Sequence, residues 1–136
     1  MTLDKAIALC DQRRPNQYSR EDKVEWLSNL DGRIFQDVLA THEGELPDFS
    51  GYDADTPGDT ELLAKYPHDE LYMLYLFAMV DFHNNDLQRY NASAAMYGQA
   101  YMEYQAWYTR NYMPRQQRKV TYNAKTRPFD PNNPLG

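Results

Sequence analysis

The chain has 136 residues, which suits one domain plus a short extra segment, since domains usually hold roughly 100–150 residues. Its 14 basic and 20 acidic residues give a net charge of −6, which argues against a body that grips nucleic acid through the phosphates. No apolar run approaches the ~20 residues that span a bilayer, and a single cysteine excludes an internal disulfide framework. We therefore expect neither a membrane protein nor a disulfide-stabilised one.

The first two predicted helices are marked by their N-caps. Thr2 precedes the apolar residues of a short helix that we expect to extend to about Asp11. Ser19 caps a second helix, in which apolar residues recur every three or four positions as far as Val38. This pattern predicts about two dozen helical residues. We expect the helix to end at Gly44, which is able to adopt the left-handed closing conformation.

A long acidic connection follows, over residues 45–66. Asp53, Asp55 and Asp59 alternate along part of it, as carboxylates do in calcium-binding loops. Counted from Asp53, the sixth position holds the required glycine but the twelfth lacks the required glutamate. A weak divalent-ion site and a solvated acidic loop both stay open; we favour the loop and assign no metal ligand.

Two further helices are predicted after this connection. Pro67 opens the third, which is apolar or tyrosine almost all round from Leu71 to Phe82 and is therefore expected at the centre of a bundle. Asn85 caps the fourth, whose large residues recur at steps of three and four. Four tyrosines in this stripe are expected at a subunit interface: Tyr97, Tyr101, Tyr104 and Tyr108.

The last residues, 113–136, differ from the helical body of residues 1–112 in charge and composition. They hold five basic residues and one acidic residue, a net of +4, whereas the body holds nine basic and 19 acidic residues, a net of −10. Half of the eight prolines lie in this segment, which has too few apolar residues to fold alone. We expect it to stay unfolded or to lie on another surface. The sequence thus predicts an all-α fold, a small bundle of about four helices with a long acidic loop and an extended C-terminal arm.

Two interpretations of this arm stay open. Interleaved basic and aromatic residues are typical of single-stranded nucleic-acid binding, and they equally suit docking on an acidic protein, with a strand added near Val120. We favour protein docking, because the acidic body repels nucleic acid and offers other copies of the chain a complementary surface. The residues expected to bind the partner are Arg115, Arg118, Lys119, Val120, Tyr122, Lys125, Arg127 and Phe129.

No residue pattern typical of catalysis is present in the sequence. The histidines lack the i, i+4 spacing of a helical zinc site, and there is no Gly-x-Ser-x-Gly elbow. Cys10 has no obvious basic partner, and its apolar neighbours favour a packed thiol over a reactive one. We therefore expect a protein that is not an enzyme and that needs no cofactor.

Several stretches of the chain, within roughly residues 1–122, together resemble the small helical head–tail connector, or adaptor, proteins that tailed bacteriophages encode among their head genes. These stretches are Asn16–Lys23, Trp26–Ile34, Thr41–Gly44, Asp59–Leu63, Pro67–Tyr72, Arg89–Asn91 and Met113–Pro114. The resemblance implies a helical subunit of a ring beneath the portal, with a C-terminal extension that reaches the portal or a neighbouring copy.

The resemblance also implies partners and a location. The partners are the portal protein, neighbouring copies of the chain and the next neck or tail protein, while DNA passes through the ring without specific binding and no membrane is involved. The protein then belongs to the neck of the virion, and to the host cytoplasm during assembly. The alternative function is a nucleic-acid-associated phage regulator that binds through its basic arm.

Overall fold

A computed structural model of the protein describes residues 1–115, and its fold is all-α. The predicted bundle of about four helices is confirmed. The helices are α1 (Leu3–Arg13), α2 (Arg20–Ile34), α3 (Glu70–His83) and α4 (Leu87–Asn111), and a π-helical turn (Phe35–Leu39) continues α2. Among the described residues, β-type pairing is limited to two isolated bridges, one of which joins Thr2 to Glu61.

The helices begin where side chains satisfy their free backbone N–H groups. Thr2 and Ser19 each accept a hydrogen bond from the backbone N–H three residues ahead, which confirms both predicted caps. Asn85 does not cap α4: its φ of 60° lies in the left-handed region, and Asp86 accepts the capping bond instead. Pro67 lies in the turn ahead of α3, which begins three residues later than predicted.

Helix α2 ends earlier than the sequence predicts. The π-helical turn stops at Leu39, and the Thr41 hydroxyl donates back to the carbonyl of Asp37 at 2.8 Å. Gly44 therefore does not close the helix, and its φ is not positive. Its lack of a side chain serves packing instead, because a methyl group there would overlap the hydroxyl of Tyr108.

Helix α3 forms the centre of the bundle, as its apolar sequence predicts. It packs mainly against α4 and also against α1 and α2. Leu71, Tyr72, Leu76 and Val80 are fully buried in one continuous core with residues of the other helices. Phe82, at the end of the predicted apolar run, is 53% exposed, because it faces outward in the last turn of the helix.

The acidic connection, residues 45–66, has no helix or strand, yet it is attached to the body. Leu62 and Ala64 are fully buried in the core. Nearer the start of the connection, Tyr52 donates a hydrogen bond to the carboxylate of Asp31 in α2 at 2.5 Å. The segment is therefore a wall of the subunit that is packed at these residues, while Asp53, Asp55 and Asp59 are exposed, as expected of a solvated acidic loop.

Asp31 is the buried polar centre to which this wall is attached. Its carboxylate accepts hydrogen bonds from the hydroxyls of Tyr52 and Tyr72 and from the backbone N–H of Leu63, at 2.5, 2.5 and 3.1 Å. The Tyr72 hydroxyl in turn accepts the N–H of Ala64 at 2.7 Å. Burial raises the pKa of Asp31 above its usual value, and the two tyrosine hydroxyls partly offset that rise.

Candidate functional site

The first residues of the predicted arm are attached to the body, beside the end of α2. The backbone N–H of Glu43 donates to the carbonyl of Met113 at 2.9 Å, and the N–H of Arg115 donates to the carbonyl of Thr41 at 2.7 Å. These two bonds flank an antiparallel bridge that pairs His42 with residue 114. We call residues 113–115 the arm root, and its position fixes where the basic segment leaves the subunit.

Arg115 reinforces this attachment with its side chain. Its Nε donates to the carbonyl of Ala40 at 3.1 Å, and one terminal nitrogen donates to the carbonyl of His42 at 2.6 Å. A guanidinium has five N–H donors in a fixed plane, and here two sides of it bind carbonyls left free at the end of a helix. Arg115, predicted to bind a partner, thus anchors the arm to its own subunit.

The other predicted docking residues lie outside the described residues: Arg118, Lys119, Val120, Tyr122, Lys125, Arg127 and Phe129. The strand predicted near Val120 lies there too.

His42 connects the end of α2 to α4 next to the arm root. Its Nδ1 lies 2.7 Å from the carbonyl of Val38 and its Nε2 lies 3.2 Å from the hydroxyl of Thr109. Because a carbonyl only accepts, Nδ1 carries a proton, and in the tautomer with its proton on Nδ1 alone the Nε2 atom accepts from the threonine. The ring also meets Tyr108 edge-on at 5.3 Å. His42 is thus a bridge between two helices.

The last turns of α4 add a dense group of aromatic rings. Tyr108 and Tyr112, four residues apart, lie 4.4 Å apart between ring centres. Trp107 contacts both tyrosines and also His68, whose ring lies 5.0 Å away. Rings at these separations favour each other beyond simple burial, so they form a stiff wall.

This wall forms one side of a surface pocket with a volume of about 300 Å³, which we call the aromatic pocket. Its lining is largely apolar, with one carboxylate and one ammonium group. The lining residues are Leu39, Glu45, Pro47, Leu63, Lys65, Tyr104, Trp107, Tyr108 and Tyr112. Leu39 and Tyr112 lie close in sequence to the residues that hold the arm root, so the pocket adjoins the point where the arm leaves.

The tyrosine stripe of α4 faces the inside of the subunit, in part against prediction. Tyr104 is 2% exposed and Tyr108 is 6% exposed, so both are core residues rather than residues of a subunit interface. Burial raises the pKa of both phenols, as expected for hydroxyls held away from water. Tyr97 and Tyr101 are half-buried, and Tyr97 packs against Tyr75 of α3 at 5.0 Å.

The outward face of α4 was not identified from the sequence. Met96 and Met102 are 59% and 65% exposed, and three alanines on the same face are exposed as well. The signal was present, because Ala92, Ala95, Gln99, Met102 and Ala106 recur at steps of three, four, three and four. Two stripes with this spacing run along α4, and the stripe of larger residues is the buried one.

The remaining candidate groups are occupied within the subunit. Asp53 accepts hydrogen bonds from the backbone N–H of Asp55 and the hydroxyl of Thr56, so it stabilises a local turn. Within residues 1–115, no group of three or more histidine, cysteine or carboxylate side chains is arranged to hold a metal ion. Cys10 is fully buried, and burial raises the pKa of its thiol to about 11, which keeps it protonated at neutral pH.

An ion pair with a buried carboxylate also has a structural role. Arg14 contacts the carboxylate of Asp81 at 2.5 Å, and the hydroxyl of Ser93 donates to the same carboxylate at 2.6 Å. The Arg14 guanidinium also lies 4.5 Å from the centre of the Phe77 ring. Both contacts are to the same carboxylate oxygen, and the group joins the end of α1 to α3 and α4.

No family model, no curated protein and no solved structure matches the chain. None of the helices within residues 1–115 is both long enough and apolar enough to cross a membrane. The described site offers aromatic faces, an aliphatic and polar lining and an anchored chain end.

Proposed function

We propose that this chain is a structural subunit of a larger assembly, and specifically a head–tail connector in the neck of a tailed bacteriophage. The phage assignment rests on the resemblance carried by the quoted sequence stretches. The observation that supports an assembly role most directly is the anchored arm root. An arm that only trailed from the body would not need two backbone bonds and two side-chain bonds at its origin.

Opposite charge supports docking of the arm on another subunit. Residues 1–115 hold ten basic and 19 acidic residues, a net of −9, whereas residues 116–136 hold four basic residues and one acidic residue, a net of +3. Complementary potentials accelerate encounter and favour correct pairing. In a ring, every weak contact becomes effectively intramolecular once its neighbours have formed, so modest affinities add up to a stable particle.

The proposed partners follow from this arrangement. The bundle forms the wall of a ring beneath the portal, and the arm reaches the portal protein or a neighbouring copy. A body with a net negative charge lets DNA pass through the ring without binding, because phosphates are repelled rather than neutralised. In this account the chain performs no catalysis and needs no cofactor.

The experiment is a pull-down with the portal protein encoded in the same genome. The full chain is compared with a chain that ends after Arg115, so that the arm root and all its bonds are kept. A matched control keeps the full length but replaces the four cations Arg118, Lys119, Lys125 and Arg127 with glutamine. We expect the full chain to bind the portal and the shortened chain to lose binding. Retained binding by the shortened chain would contradict the proposal.

The second candidate function, a nucleic-acid-associated regulator, is favoured by one observation, the concentration of four basic residues within residues 116–127. Titration of the full chain with single- and double-stranded DNA separates the two functions. Tight binding that weakens steeply with salt and disappears with residues 116–136 favours the regulator. Weak or absent binding favours the connector.

A further inference from the structure

The aromatic pocket has no occupant among residues 1–115, although it has the composition of a peptide-binding groove. Trp107 and Tyr112 are partly open to solvent, and Leu39 and Leu63 add aliphatic surface to the lining. Its volume of about 300 Å³ is within the range of known ligand pockets. Aromatic-lined grooves of this kind bind proline-rich segments in the polyproline II conformation.

The chain itself contains a segment of that chemistry. Pro128, Pro131 and Pro134 recur at intervals of three residues. A polyproline II helix has three residues per turn, so this spacing would align the three rings on one face. Two turns of such a helix would extend over about 19 Å, with about 9 Å between successive prolines. The two rings that are partly open to solvent, Trp107 and Tyr112, are about 7.5 Å apart along the helix direction, so two prolines at a time match them.

Charges at the pocket match those of the same segment. Glu45 and Lys65 both line the pocket; among the described residues Glu45 has no ion-pair partner, whereas Lys65 lies 3.9 Å from the carboxylate of Glu61 in an exposed pair. In the segment, Arg127 immediately precedes the first proline and Asp130 follows one turn later. A bound segment therefore presents one cation and one anion to a pocket with one anion and one cation at its edge.

We propose that the aromatic pocket of one copy binds the proline-rich segment 127–135 of a neighbouring copy. The inference rests on the proposed assembly role, and it names the contact between adjacent subunits. Residues 116–127, fully extended, cover about 40 Å. A body of this size has a diameter of about 35 Å, so a neighbour's pocket is within reach. Each copy gives one arm and offers one pocket, which is the head-to-tail arrangement that closes into rings.

The test uses two full-length variants that fail in different halves of the contact. The arm variant replaces Pro128, Pro131 and Pro134 with serine and keeps the pocket. The pocket variant carries Trp107→Ala and keeps the arm, and Glu45→Lys at the exposed rim serves as a milder second pocket variant. Circular dichroism and thermal melting check that each variant is folded.

Sedimentation measures the mass of each protein alone and of the two variants mixed. We expect the wild-type chain to associate as its concentration rises and each variant alone to need at least about tenfold more protein. The mixture of arm and pocket variants should form a one-to-one pair, because one working arm still meets one working pocket. The arm variant retains Trp107, so quenching of its tryptophan fluorescence by acrylamide should fall when the arm of the pocket variant covers this ring. Trp26 is buried against His83, so its fluorescence should stay constant on mixing.

Two results would overturn the inference. In the first, the wild-type chain stays monomeric, its Trp107 is already shielded from acrylamide, and the arm variant lacks this shielding. That result means that the segment binds the pocket of its own chain. The other is association that neither variant weakens. Portal binding is measured on the same variants, so failure of this contact with portal binding intact overturns this inference and leaves the proposed function standing.

Discussion

Replacement of Tyr72 by phenylalanine tests the physical basis of the fold most sharply. The substitution removes one oxygen that donates to Asp31 at 2.5 Å and accepts from the backbone N–H of Ala64 at 2.7 Å. Tyr72 and Asp31 are both fully buried, so water cannot replace either bond. The change keeps the ring and therefore leaves the packing of the core intact.

The expected cost follows from the two lost bonds. A hydrogen bond to a charged group contributes about 1.5–3 kcal/mol, and a buried N–H left without a partner costs about 1–3 kcal/mol. Loss of the Tyr72 donor raises the pKa of Asp31 further, so that proton uptake by the carboxylate returns part of this energy. We expect Tyr72→Phe to lower the free energy of unfolding by about 3 kcal/mol, a large part of the roughly 5–15 kcal/mol that domains possess.

The assay is urea unfolding at pH 7, monitored by tryptophan fluorescence. We expect the variant to keep the wild-type dependence of the free energy of unfolding on urea concentration. Tyr52→Phe removes a single bond to Asp31 and should cost about half as much. Tyr75→Phe is the matched control, because burial and nearby charges, and no hydrogen bond within residues 1–115, act on the Tyr75 hydroxyl, and its effect should stay within about 0.5 kcal/mol. If Tyr72→Phe cost no more than Tyr75→Phe, the reasoning about Asp31 would be refuted.

Three further predictions concern single sites. Because the pKa of Asp31 is raised, the folded chain binds the carboxyl proton more tightly than the unfolded chain, so this proton stabilises the fold fully below about pH 3.8 and its effect is lost as pH rises through the folded pKa. The cost of Asp31→Asn, measured by urea unfolding from pH 4 to 7, should therefore shrink with rising pH. A cost that stays constant would refute the direction of this pH dependence. Gly44→Ala places a methyl group against a tyrosine hydroxyl and should destabilise by about 1–3 kcal/mol, whereas Gly98→Ala, with open space around it in α4, should stabilise by up to about 1 kcal/mol in the same thermal melts. Cys10 should react with a thiol reagent only at the rate of unfolding, and rapid labelling of the native chain would contradict its burial.

Much of the helical fold was readable from the sequence because its signals are local. Thr2 and Ser19 act as caps within three residues of their own positions. The apolar run of α3 predicts a central helix without information about the helices that pack against it. The end of α2 is harder to predict, because residues far along the chain contribute to it: besides the local bond from the Thr41 hydroxyl to Asp37, the carbonyl of Thr41 accepts the backbone N–H of Arg115.

The candidate site was harder to predict for a related reason. Periodicity tells which residues share a face of a helix but not which face is buried, and tyrosine suits both environments. The pattern therefore predicts an interface for Tyr104 and Tyr108, whereas both belong to the core. Likewise, nothing near Tyr52 in the sequence indicates that its hydroxyl reaches a carboxylate at Asp31, and this contact turns an acidic connection into a packed wall.

The central claim is that this subunit joins an assembly through its C-terminal arm. The most direct measurement is the mass of the complex that the full chain forms with the portal protein, compared with that of the chain ending after Arg115. The account predicts a portal complex that contains multiple copies of the full chain, and a shortened chain that stays folded but remains apart from the portal. A shortened chain that joins the portal in the same number of copies would contradict the account.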